Sequence, residues 1–96
     1  MVSKMTPRLK ANTLTNGNKT VRLTDREVTI IYLVMCHGKV SFDLISEVLW
    51  PDADTMPDYW RSIIQISVHR LRQKINGFGF KIVTKWSYGY GLEIDG

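Results

Sequence analysis

With 96 residues and a mass of 11.1 kDa, the chain is sized for one domain. Its globular composition, 44% apolar and 23% charged with seven Gly, excludes collagenous, low-complexity and largely disordered classes. The net charge of +4 falls in blocks: residues 1–39 carry seven Lys/Arg and two Asp/Glu, residues 40–58 five acids and no base, residues 59–96 six bases and two acids. Two basic flanks around an acidic middle suit a nucleic acid or an anionic membrane surface, although blocks like these also form ordinary solvated faces.

A single Cys provides neither an internal disulfide nor a Cys-rich zinc site. The longest apolar stretch, residues 28–36, is under half of the roughly 20 residues needed to cross a bilayer. Residues 1–10 lack the apolar run of a signal peptide. The expectation is a cytoplasmic, nucleoid-associated protein with no membrane partner.

In chain order, residues 1–8 are expected to be a flexible N-terminus and residues 9–96 the domain. Residues 9–15 and 19–23 are short, Thr-rich and partly alternating, with Asn16, Gly17 and Asn18 between them, and this predicts a β-hairpin. Thr24 and Glu27 have capping-box spacing, so a helix should start at Asp25. Residues 28–36 are apolar and β-branched enough for a buried strand to compete; the cap, and Gly38 at the far end, favour helix. Cys36 is expected to fill core.

Ser41 caps a second, short helix whose apolar stripe is Leu44, Ile45, Val48 and Leu49, ended by Trp50 and Pro51. Residues 51–57, with two prolines and two acids, predict an exposed loop. The longest helix is expected at about 58–75, opened by Pro57 or Asp58 and stopped by Asn76 and Gly77. Residues 80–84 and 90–94 then read as two strands around a turn.

The third helix carries the functional signal. At about 100° per residue, Trp60, Ile64, Val68, Leu71 and Ile75 fall on one stripe of roughly 80°, which should face the core. Arg61, Ser62, Gln65, His69, Arg72 and Gln73 lie away from it, with Arg70 on the flank and no acid among them. A helix fits the DNA major groove, phosphates attract Lys and Arg, and base edges are read by Arg, Gln, Ser and His. The hairpin that follows holds Lys81, Lys85 and Trp86, which suits the backbone or the minor groove. Helix, helix, long basic helix and basic hairpin is winged-helix order.

Catalysis finds no support. Cys36 and His37 are adjacent on a helix and point about 100° apart. His37 and His69 have no carboxylate pattern around them, and Asp52, Asp54 and Asp58 lack the further ligands and turn glycine of a calcium loop. Gly77 and Gly79 lack the helix and the Lys-Ser/Thr of a phosphate loop. A non-enzymatic protein without cofactor or metal is expected.

Leu23, Thr24 and Glu27, then Ser41, Ile45 and Trp50, then the run Val68, His69, Arg70, Leu71, Arg72, Gln73, Lys74, Ile75, and finally Gly89 and Tyr90 resemble the effector domain of OmpR/PhoB-type response regulators over residues 9–96. The resemblance implies an α+β winged helix-turn-helix: a small N-terminal β-hairpin or sheet, three helices, and a C-terminal β-hairpin wing at about 80–94. It implies sequence-specific binding of double-stranded DNA, the helix at about 58–75 in the major groove and the wing on the backbone or minor groove.

The family's basic recognition residues fall on His69, Arg70 and Arg72. Its polymerase-contacting loop falls on residues 51–58, including Asp52, Asp54 and Thr55. Where the family usually has Val-Asp-Val-His-Ile, this chain has Ile64, Gln65, Ile66, Ser67 and Val68, so its base preference should differ. Where the wing usually reads Val-Arg-Gly-x-Gly-Tyr, this chain has Lys85, Trp86, Ser87, Tyr88, Gly89 and Tyr90, so Lys85 or Trp86 stands in for the arginine.

The expected DNA contacts are therefore Arg61, Ser62, Gln65, His69, Arg70, Arg72, Thr84, Lys85 and Trp86. RNA polymerase and a second copy on repeated half-sites are the further expected partners; docking on polymerase or another regulator is the alternative function. The chain opens on Met1 without a receiver domain, which favours a free-standing phage or bacterial regulator over an excised fragment.

Overall fold

The Thr-rich N-terminal segment folds as three strands. The computed structural model describes residues 8–94, beginning with an antiparallel sheet of β1 (Arg8–Lys10), β2 (Thr13–Asn16) and β3 (Lys19–Arg22) in that order. The expected first strand, 9–15, doubles back at Ala11 and Asn12: Lys10 pairs with Thr13, and Ala11 adopts φ 54°. That left-handed value is one that an Ala does not signal. Gly17, at φ 64°, and Asn18 make the next two-residue turn, between Asn16 and Lys19. Arg8 is thus part of a strand; the rest of the expected flexible terminus, residues 1–7, lies outside the described residues.

Asn12 fastens this sheet to the helices. Its Nδ2 donates to the Leu23 carbonyl at 3.0 Å and to Asp25 Oδ1 at 2.7 Å, and its carbonyl accepts the Leu23 N–H at 2.7 Å. The first helix, α1 (Asp25–His37), starts where the capping box puts it: Glu27 N–H donates to Thr24 Oγ1 at 3.2 Å and Thr24 N–H to Glu27 Oε1 at 2.9 Å. It stops at Gly38, φ 74°, whose N–H donates to the Val34 carbonyl at 2.8 Å. Ile30, Ile31 and Val34 are buried. Cys36 is exposed, contrary to expectation, because it follows the exposed Tyr32 by one turn on the side away from those residues.

A short strand, β4 (Lys39–Ser41), follows; three residues are too few to reveal a strand by alternation. Ser41 Oγ then accepts the Leu44 N–H at 3.0 Å and caps α2 (Phe42–Leu49). The buried face of α2 is Phe42, Ile45 and Ser46, whereas Val48 is exposed. Phe42 and Ile45 orient the helix, and Val48 lies roughly 100° off their face.

The loop beyond contains a 3-10 turn, Ala53–Thr55. The third helix, α3 (Trp60–Lys74), begins two residues past Asp58, because the Trp60 N–H donates to the Pro57 carbonyl at 3.1 Å and closes a turn first. Strands β5 (Phe80–Lys85) and β6 (Gly89–Ile94) form the C-terminal hairpin, and β4 pairs with β6 to give the sheet order β4-β6-β5.

The core is built from Ile30, Ile31 and Val34 of α1, Ile45 of α2, and Ile64, Val68 and Leu71 of α3 with Ile75 just beyond it. Leu14 closes it from the first sheet, and Val40, Ile82 and Tyr90 from the second. Sheet, three helices and hairpin make an α+β winged helix-turn-helix. No helix among the described residues is long and apolar enough to cross a membrane.

Candidate nucleic-acid interface

Burying Ile64, Ser67, Val68 and Leu71 decides which side of α3 meets water. Ser67 is tolerated there because its hydroxyl donates to the Ile63 carbonyl at 2.8 Å. Arg61, Ser62, Gln65, His69, Arg70 and Gln73 are exposed. Trp60, expected on the core-facing stripe, is half-buried against the edge of the core, as is Trp50. Among the polar side chains stands Ile66, 54% exposed. The helical phase that places His69 outward also places Ile66 there, although an isoleucine does not by its chemistry signal a surface residue.

The three arginines are held differently. The Arg61 guanidinium lies 4.5 Å from the centroid of the Phe42 ring and 5.3 Å from that of Trp60, so it is pre-oriented while remaining exposed. Arg70 lines a shallow cleft of 310 Å³ between α3 and the start of α1, together with Arg26 and Lys74. Arg72 is half-buried: Nε donates to the Ile82 carbonyl at 2.8 Å, Nη2 donates to Thr84 Oγ1 at 2.9 Å, and the group sits 5.7 Å from the Tyr90 ring. It therefore clamps α3 to β5. Burial pushes the Tyr90 phenol above its ordinary pKa, with the Arg72 and Arg61 charges pulling the other way.

A second tie, also from the last turn of α3, holds that helix to α1. Lys74 Nζ donates to Glu27 Oε1 at 2.7 Å, and the Glu27 side chain is only 2% exposed. Burial alone would raise the Glu27 carboxyl; the hydrogen bonds from Lys74 and the Thr24 N–H, with the charge of Lys74, outweigh it and hold the group below its ordinary value.

The wing tip carries Lys85, Trp86, Ser87 and Tyr88, all exposed. The Tyr88 N–H donates to the Lys85 carbonyl at 2.9 Å, and the Tyr88 carbonyl accepts the Phe42 N–H at 2.8 Å. Lys39 Nζ lies 5.1 Å from the centroid of the Tyr88 ring. Gly89 packs so closely on β4 that a Cβ there would stand 2.0 Å from the Val40 carbonyl oxygen.

In the loop before α3, Asp52 Oδ1 accepts the Asp54 N–H at 3.0 Å and the Thr55 hydroxyl donates to the Asp52 carbonyl at 2.8 Å. Asp52, Asp54 and Thr55 remain exposed. Among the described residues, no group of three His, Cys, Asp or Glu is arranged to hold a metal ion.

No family model matches the chain, and no curated protein matches it. Among solved structures it is similar to the C-terminal domain of the nisin resistance regulator NsrR, a lantibiotic response regulator. The two share 29% identity with a TM-score of 0.75, over 94% of each chain. The domain shares the winged helix-turn-helix fold of that regulator's C-terminal domain, which is of the OmpR/PhoB type.

Against the OmpR/PhoB-type pattern that the sequence resembles, the wing departs from the usual arginine-glycine pair. Trp86 occupies the arginine position. Ser87, at φ 59°, occupies the glycine position, which accounts for that glycine: the turn needs a left-handed residue there.

Proposed function

We propose that this domain is a non-enzymatic transcription regulator that binds double-stranded DNA sequence-specifically, α3 entering the major groove and the wing lying on the backbone and adjacent minor groove. The observation that carries the reading is the solvent face of α3: two arginines, a histidine, two glutamines, a serine and an isoleucine, with no acid. Gln65 and His69 have the chemistry for base edges, Arg61, Ser62 and Arg70 for phosphate or guanine, and Ile66 for a thymine methyl. Thr84 accepts from Arg72 and so keeps its own proton for a phosphate oxygen, beside Lys85. The similarity to a response-regulator domain supports the same reading.

A second contact surface is compatible with it. Asp52, Asp54 and Thr55 stand exposed on a loop that contains no base, which suits a basic partner such as a polymerase subunit. Two copies on half-sites about one helical turn apart would account for regulation from repeated sites.

Selection of bound sequences from a random duplex library, followed by titration against salt, tests the reading. One enriched motif should emerge, and about six phosphate contacts per protomer should give a slope near −5 in log K against log salt. Failure to retain any duplex at low salt, with polymerase capture intact, would replace DNA binding by docking.

A further inference from the structure

We infer that Trp86 is a wedge: on a bound duplex its indole enters the minor groove beside the site read by α3 and partly unstacks one base step, bending the DNA. The inference rests on the duplex-binding reading above and adds to it a mode of indirect readout.

Trp86 is 91% exposed, so the fold takes nothing from its indole. Tryptophan, apolar in its rings and polar at its N–H, is a side chain enriched at contact sites. Its support is nonetheless firm. The turn is closed by the Tyr88 N–H on the Lys85 carbonyl, the Tyr88 carbonyl is held by the Phe42 N–H, and Lys39 caps the Tyr88 ring. Gly89 admits β4 against the hairpin with no room for a side chain. A two-torsion aromatic on a braced turn loses little conformational freedom when it inserts.

Position and charge select the occupant. Thr84, two residues earlier, is tied to α3 by Arg72, so the tip projects about 7 Å beyond the clamp and stays in register with the helix. Lys85 precedes the indole in the chain, and Lys39 Nζ lies 5.1 Å from the ring of Tyr88, two residues beyond it. Glu93, the one acid among the described residues of the hairpin, pairs with Lys81 five rungs from the tip. Such a tip favours a polyanion over an apolar protein groove. An indole has no positive charge to exploit the potential of a narrow groove, as an arginine does; it offers a flat apolar plate, which is what wedging between base pairs requires. The step beside the wing should therefore be a flexible pyrimidine–purine step.

The test uses a duplex recovered from the random library, labelled at both ends for energy transfer and carrying 2-aminopurine at successive steps near the wing. Wild type should bend it by about 20–90° and brighten 2-aminopurine at one step. Trp86→Ala should keep the thermal midpoint, lose the bend and the brightening, and bind about tenfold more weakly. Trp86→Arg should recover affinity without the bend. Binding by wild type with no bend and no brightening overturns the wedge, as does Trp86→Ala with unchanged affinity and bend, including the case where it loses only a protein partner. No binding of any duplex by wild type defeats the DNA reading itself, and the wedge with it.

Discussion

Arg72 and Thr84, twelve residues apart in sequence, meet through an Nη2 to Oγ1 hydrogen bond of 2.9 Å, while Arg72 Nε holds the Ile82 carbonyl. One charged side chain thereby ties the helix to the wing, its guanidinium held beside the exposed Thr84. The two duties are separable. Arg72→Lys retains the charge and loses the planar fork. It should cost about 1–2 kcal/mol in urea unfolding while leaving the salt slope of DNA binding unchanged. Arg72→Ala should cost as much and also flatten the slope by about one unit. A lysine variant as stable as wild type would show that the fork clamps nothing.

Stability should fall with acid in a way traceable to Glu27. Its carboxyl is held below the ordinary value of 4.5 in the folded chain, so its contribution is complete above that pH and is lost as pH drops through the lower folded value. At neutral pH, Glu27→Gln should be about 2 kcal/mol less stable than wild type. In urea titrations the gap should hold from pH 7 down to 4.5 and close as pH falls below it; a gap independent of pH would detach the effect from ionisation.

Ile66 offers a change of preference without a change of fold. Because it is exposed, Ile66→Ala should shift stability by no more than about 0.5 kcal/mol. Discrimination for thymine at one position of the selected motif should drop about fivefold, the equivalent of roughly 1 kcal/mol. Competition between duplexes with thymine and uracil at that position reads the methyl contact directly, and equal binding of the two by wild type would discard it.

Gly89 and Gly91 are neighbours in one strand with different tolerances. A Cβ at Gly89 would meet backbone, Val40 O at 2.0 Å and Ser41 Cα at 2.8 Å, whereas at Gly91 its closest neighbour would be Lys85 Cε at 2.7 Å. A lysine tail can swing aside; a paired strand cannot. Gly89→Ala should cost about 3 kcal/mol or more, lowering the thermal midpoint by about 15 °C. Gly91→Ala should change it by a small fraction of that, and similar losses in the two would argue against the close strand approach.

What the sequence determined by itself is local. The start of α1 at Thr24 and Glu27, its end at Gly38 and the Ser41 cap of α2 are closed by hydrogen bonds spanning three or four residues, so neighbouring residues suffice to specify them. The outward phase of Arg61, Gln65 and His69 follows from helical period alone. Tertiary structure decided the rest. The left-handed Ala11, the strand at Val40 and the exposure of Cys36 and Val48 depend on which partner each segment packs against. So do the clamp of Arg72 on the wing and the 47-residue reach from Lys74 to Glu27. Those contacts join residues far apart in the chain, and no local pattern encodes a distance that only the closed core creates.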